Sequence, residues 1–352
     1  MLPTTVNNVI LNFLAEERQQ QTSFSMPSLK ELREHADRLK NEHGSDANFA
    51  IRVQNVVGEA RSLHNSDAVK KARGAAIVVQ AASQFNFLEF HSPRCVPESG
   101  ISEYIFDKTQ GPACAIACAA GTTYRNHLVP VPFPKSDGQE QTQRGQRGQT
   151  RNNQLNGLAD VEEYLLRESD LSESPWTVKN GYVESSRSKL DQLNQLLAIP
   201  KSGDGLRETM IFRIRIALQE NTTVTDDPLL NTQVTQTYNS AISIGYSKLL
   251  DILWEPVAQI VLDATYEATL LAGVLQSRPG ATPPIIFLTM VGGGVFQNKG
   301  TWIRQAMVRA IRKVQKYGVS LDIRIVHFGS IGQAYIELET DALDTSCACV
   351  IL

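Results

Sequence analysis

The chain has 352 residues, 42% of them hydrophobic, and a formal net charge of −3. That is enough apolar material for one large domain or two ordinary ones, and too little basic charge to grip a phosphate backbone, which sets nucleic acid aside as a partner. Five cysteines form neither a disulfide framework nor a spaced zinc motif and point to a reducing compartment. No secretory signal pattern precedes the first helical stretch, and no uninterrupted apolar run is long enough to span a bilayer.

In chain order, residues 5–20 and 28–43 read as amphipathic helices, the second opened by Pro27-Ser28 with Glu31 at capping-box distance. Residues 48–64 continue a helical period through Phe49, Val53, Val56 and Leu63, with Gly58 inside it. Residues 1–73 are thus expected to form a helical extension packed on a core that spans 74–335. Residues 74–90 turn small and β-branched, as a central strand does, and Gln84 and Asn86 stand at its end. Amides there either contact a ligand or satisfy loop backbone.

Asp107 and Gln110 precede a small-residue helix over 112–120, with Pro112 in its first turn and Gly121 after its end. Asp107 is then either an N-terminal cap or a carboxylate aimed at a site. Cys114 and Cys118, one turn apart, read as core residues. Residues 135–153 are Gln/Gly/Arg-rich, a mobile insertion whose RGQ repeats either touch an acidic partner or RNA or are simply solvated. Helices are expected over 158–167 and 188–197, and strands over 209–218 and 233–246.

Residues 254–275 form a strongly apolar helix carrying Asp263 and Glu267 one turn apart. Those carboxylates face either solvent or the glycine loop that follows. That loop begins where the apolar run 285–291 meets Gly292, Gly293 and Gly294. A helix over 302–317 and a strand over 321–328 complete a βαβ unit. Three glycines either make a tight turn or uncover backbone N–H groups so that a diphosphate can approach them at a helix N-terminus.

Taken as a set, ASQFN, DKTQGPACAIA, YEATLLAG and GGGVF followed by WI resemble macrodomains, distantly the poly(ADP-ribose) glycohydrolases and most of all the MavL-like group of arginine-specific ADP-ribosylhydrolases. The resemblance covers about residues 75–329. It implies a three-layer α/β fold with a mixed sheet flanked by helices, an N-terminal helical extension, and a hydrolase that removes ADP-ribose from protein arginine without metal or cofactor. The implied partners are ADP-ribose and ADP-ribosylated protein; the alternative is a reader that binds ADP-ribose without turnover.

The implied chemistry cleaves an N-glycosidic bond through an oxocarbenium-like state. Gly292, Gly293, Gly294, Val295 and Phe296, with Asn298 behind them, would hold the diphosphate, and Phe296 would pack on the distal ribose. Gln84, Asn86 and Gln110, beside Gly111, would orient sugar hydroxyls. Asp107 or Glu98 would act as base or electrostatic stabiliser, and Asp263 and Glu267 would receive the guanidinium, Glu267 as a third catalytic candidate.

Residues 336–352 read as a flexible tail whose last four, Cys349-Val350-Ile351-Leu352, are either a chance apolar end or a prenylation signal. With Cys347 as a second acylation site, the latter predicts attachment to the cytosolic face of a eukaryotic membrane.

Overall fold

The computed structural model describes residues 23–44, 48–66, 69, 74–132, 146–200, 202–226 and 232–338. The expected helix over 5–20, the RGQ repeats up to residue 145 and the tail cysteines Cys347 and Cys349 lie outside them.

The core is one seven-stranded sheet. Its strands are β1 (Phe24–Ser25), β2 (Ile51–Val57), β3 (Ile77–Ala82), β4 (Ala217–Thr223), β5 (Gln233–Asn239), β6 (Ile285–Leu288) and β7 (Leu321–His327), in the spatial order β1-β4-β5-β3-β6-β7-β2. The five from β5 to β2 are mutually parallel, while β4 and β1 are antiparallel additions at one edge. Parallel strands buried on both faces need apolar residues in both directions, and β6 shows it. Ile286 and Leu288 join the core beneath the long helices, whereas Ile285 and Phe287 join the core on the opposite face. Val78 and its neighbours Ile77 and Val79 divide the same way.

The principal helices are α1 (Leu29–His43), α2 (Gln110–Ala117), α3 (Ala159–Glu168), α4 (Arg187–Leu197), α5 (Ser202–Arg213), α6 (Asp251–Gln276) and α7 (Gly300–Gln315). Helix α1 starts at the expected capping box, Ser28 and Glu31 each accepting a hydrogen bond from the other's backbone N–H, and it packs against α6. Helices α6 and α7 cover one face of the sheet and α2 the other, giving the three-layer α/β fold. By length and composition α6 is apolar enough to cross a membrane, yet 94% of its apolar window is buried within this fold.

Three expectations are corrected. The stretch 48–64 is not one helix: only Ala60–Leu63 is helical, and Ile51–Val57 is an edge strand, in parallel register with β7 from Leu321↔Ile51 to His327↔Val57. Its run IRVQNVV is β-branched, and the helical spacing of Val53 and Val56 was coincidental. The boundary at 73 therefore cuts through one sheet. Over 209–218, Thr209 to Arg213 belong to α5, where Leu206 and Met210, one turn apart, face the core; the strand begins only at Ala217. Residues 146–153 are built structure rather than loose insertion. Gln149 is buried and donates to the carbonyls of Asn86 and Arg125, so side-chain amides fix this segment where apolar burial does not.

Candidate functional site at the carboxyl edge of the sheet

In an open parallel sheet, ligands approach the carboxyl ends of the strands. Strand β6 ends there at Leu288 and the chain leaves the ladder in a series of tight turns. Thr289 gives its N–H to Gln80 Oε1 at 3.0 Å. Val291 N–H reaches Thr289 O at 2.9 Å, Gly293 N–H reaches Met290 O at 3.0 Å, and Gln297 and Asn298 N–H close back onto Gly294 O and Gly292 O at 2.9 Å each. Among the described residues, the N–H groups of Gly292, Gly294, Val295 and Phe296 then have no acceptor. They sit just ahead of α7, whose N-cap Lys299 offers no side-chain bond, so backbone donors and the positive end of a helix coincide.

The three glycines do different work. Gly292 has φ of +77°, and a Cβ there would lie 2.4 Å from Ala241 Cβ, so this position needs glycine for the turn itself. A Cβ on Gly293 would meet the tip of Ile303 at 3.0 Å and the carbonyl oxygen of Met290 at 3.3 Å. A Cβ on Gly294 would meet nothing within 4 Å, and it projects into the open space beside the free donors. Asn298 buckles the loop, its Nδ2 donating to Ile242 O at 2.8 Å and Gly292 O at 3.3 Å.

Phe296 anchors the loop sideways. Its ring lies 5.5 Å from Tyr182 and 6.0 Å from Tyr246, and the two tyrosines are 5.1 Å apart. Tyr182 donates to Phe90 O at 2.8 Å, and Gly245 N–H donates to Phe296 O at 3.0 Å. The loops after β3, β5 and β6 and the hairpin Thr177–Lys179/Tyr182–Glu184 thus meet in one aromatic rim. Tyr182 went unread in the sequence, though Asn180-Gly181 between β-branched flanks is a hairpin signal. Another aromatic, Phe328, is 85% exposed just past the end of β7. The register Leu288↔Ile325 puts the end of β7 beside the strand from which the glycine loop departs.

The amides expected to orient sugars are engaged elsewhere. Gln84 bonds both backbone groups of Phe90 (2.7 and 3.0 Å). Asn86 accepts from Leu88 N–H and donates to Gln154. Gln110 spans Ala82 N–H and Gln80 O at 2.6 and 2.7 Å. They shape the rim and hold it against α2, where Gly111 lets the helix approach Ala82 O: a Cβ would come within 2.5 Å.

Asp263 and Glu267 face neither solvent nor the glycine loop. Glu267 is 2% exposed and receives the guanidinium groups of Arg33 from α1 and Arg309 from α7. Burial alone would raise its carboxyl, but these two arginines hold it below the ordinary range. Asp263 accepts from Gln259 at 2.9 Å and lies 3.6 Å from Arg309; burial outweighs that charge and raises it. The expectation that Glu267 acts catalytically and that both bind a substrate guanidinium is corrected, because the chain's own arginines occupy them.

The other acids remain at the rim. Glu98, exposed, accepts the N–H of Arg151 with both oxygens at 2.8 and 3.0 Å. Asp107 is half-exposed, and its Oδ1 accepts from Thr109 N–H and Oγ1 at 2.8 and 2.7 Å; it closes a turn onto Thr109, which is itself the N-cap of α2, so Asp107 does not cap that helix. Its Oδ2 has no partner among the described residues. Burial first, then Tyr246, Cys95 and Asp107, raise the Tyr182 hydroxyl, which places Asp107 within electrostatic reach of the aromatic rim.

Behind the rim lies a buried polar group that sequence reading missed. Glu89, 1% exposed, pairs with fully buried Arg125 at 3.0 Å, and Arg125 stacks on Tyr238. Tyr238 bonds Gln236, which donates to His64. Burial pushes Glu89 up to about 7, against the pull of Arg125. Two clefts open away from the rim. One of about 350 Å³ lies where helices end; its Lys40 and Arg278 donate to the terminal carbonyls of Lys316, Leu275 and Ser277, as helix C-termini require. The other, about 670 Å³, is a groove of paired surface charges around Arg215. No group of metal-ligating side chains occurs among the described residues.

No protein-family profile matches the chain, and no curated protein matches it. Among solved structures it is similar to the poly(ADP-ribose) glycohydrolase of Deinococcus radiodurans in complex with ADP-ribose, at TM-score 0.44 and 9% identity over 94% of this chain and 98% of that one. It is also similar to the poly(ADP-ribose) glycohydrolase of Thermomonospora curvata, at TM-score 0.41 and 11% identity over 93% and 87%. At such identities no residue's role passes from those proteins to this chain.

Proposed function

We propose that the carboxyl-edge rim binds ADP-ribose and hydrolyses its bond to protein arginine. The observation that carries this reading is the run of free backbone donors at Gly292, Gly294, Val295 and Phe296 beside the helix α7 N-terminus, a cradle for a diphosphate. Phe296 packs on the distal ribose, and Phe328 offers its exposed ring to the adenine. The resemblance of the GGGVF and DKTQGPACAIA motifs to ADP-ribosylhydrolase macrodomains supports the same ligand.

For the reaction, water attacks the anomeric carbon as the bond to the guanidine nitrogen breaks. Asp107 Oδ2 accepts the water's proton and faces the developing cation; the C–N bond's electron pair stays on the guanidine nitrogen, and the neutral guanidine then takes up the proton that Asp107 accepted, leaving as guanidinium and returning Asp107 to its carboxylate. Glu98, Glu103 and Asp107 all stand on the segment before α2, and a carboxylate-rich segment favours a cationic leaving group over a neutral hydroxyl. Calorimetric titration with ADP-ribose tests the site: saturable heat is expected, and its absence overturns both the hydrolase and the reader.

A further inference from the structure

The glycine loop is tied to helix α6 by the hydroxyl of one tyrosine. Tyr266 is completely buried, and its hydroxyl donates to Thr289 O at 2.7 Å while accepting Val291 N–H at 3.1 Å. These two groups flank Met290, two residues past the end of β6. The same Val291 N–H reaches Thr289 O, so the hydroxyl closes a three-residue turn from beneath. On the other side, Gln80 takes Thr289 N–H with its Oε1 and Thr289 Oγ1 with its carbonyl. The first residue of the loop is therefore gripped from β3 and from α6 at once. The rest of the loop follows directly on this turn: Gly293 folds back onto Met290, and Gly292 has positive φ.

We propose that Tyr266 is a positioning residue that sets the diphosphate-binding form of the glycine loop through its hydroxyl. The inference rests on the reading of that loop as an ADP-ribose cradle, which Tyr266 itself cannot touch. Losing the hydroxyl leaves the ring in the core and removes only the clamp on Thr289 and Val291. The penalty then falls on the diphosphate and not on the nucleoside.

The test is Tyr266→Phe in the full chain, with Tyr317→Phe as control, because the Tyr317 hydroxyl has no partner among the described residues. Tyr266→Phe is expected to weaken ADP-ribose about ten-fold, to leave adenosine affinity unchanged, and to speed hydrogen exchange at the amides of residues 291–296. Tyr317→Phe should change none of these. Unchanged ADP-ribose affinity in a folded Tyr266→Phe protein overturns the proposal, as does an equal loss for adenosine. If the wild type binds no ADP-ribose, the reading of the site fails separately, and loop-amide exchange alone decides whether Tyr266 sets the loop. Should Tyr266→Phe not fold, the wild type answers: Val291 N–H must exchange as slowly as sheet amides, and fast exchange there overturns the proposal.

Discussion

Glu267 of helix α6 holds Arg33 of helix α1, with Arg33 Nη2 2.7 Å from Glu267 Oε2 across 234 residues of sequence. Arg309 reaches the same oxygen at 2.7 Å and also binds Glu208. The cluster ties four helices together beneath the sheet, so its consequence is stability. Glu267→Gln keeps the shape but leaves two arginines under-compensated, and should lower unfolding free energy by about 2 to 3 kcal/mol in denaturant titration. Because the folded carboxyl is depressed, that stability is present above its ordinary range and lost as acid titrates it. Turnover by the folded fraction should be unchanged; a selective loss of turnover would return Glu267 to the site.

Gly292 and Gly294 should separate folding from binding. Gly294→Val places its side chain in open space beside the free donors, so the melting temperature should hold while ADP-ribose affinity falls at least about ten-fold. Gly292→Val forces a β-branched residue to φ of +77° against Ala241 and should cost stability outright. A Gly294→Val protein that binds normally would remove the diphosphate from the loop.

Asp107→Asn retains an oxygen to accept the Thr109 N–H, so the turn leading into α2 should persist and ADP-ribose affinity stay near wild type. What the amide cannot do is accept a proton, and single-turnover release should slow by about 100-fold or more. A normal rate would assign the chemistry to another carboxylate, with Glu98→Gln the next variant to assay.

Glu89 and His64 belong to one buried network and act oppositely on stability. Buried His64 is held near 4, below its ordinary 6.5, so between those values the unfolded chain binds a proton that the folded chain refuses and stability rises with pH. Glu89, pushed to about 7 from 4.5, keeps a proton that the unfolded chain has lost, so stability falls with pH over nearly the same window. The two slopes oppose in the wild type. Glu89→Gln should uncover the histidine's slope, stability rising by up to about 1.4 kcal/mol per pH unit between pH 5 and 6; an unaltered profile in denaturant titrations would mean that Glu89 stays ionised.

How far the sequence could be read follows from what each stretch had to satisfy. The run 285–291, the glycines and the helix after them were legible because a strand buried on both faces and a loop needing φ above zero each demand particular residue types. Strand 51–57 was not, since seven residues carry few apolar positions and the three-residue spacing of Val53 and Val56 copies a helical period, whereas in the strand it puts them on opposite faces. Gln84 bonds Phe90 within its own loop, Gln110 reaches back 28 and 30 residues to Ala82 and Gln80, and Asn86 reaches Gln154, 68 residues on; an amide's choice of such backbone and amide partners leaves no periodic signature in the sequence. Asp263 and Glu267 misled for a related reason: their partners Arg33 and Arg309 lie on other helices. Tyr266 and Phe328 carry no pattern at all until the strands are in register.

The most direct measurement incubates the whole protein with a target carrying ADP-ribose on arginine and follows free ADP-ribose over time, beside the same target modified on serine. Release from arginine, abolished by Gly294→Val and slowed by Asp107→Asn, is the predicted result. Saturable binding of ADP-ribose with no release from either target would contradict it and leave the rim a reader of the modification.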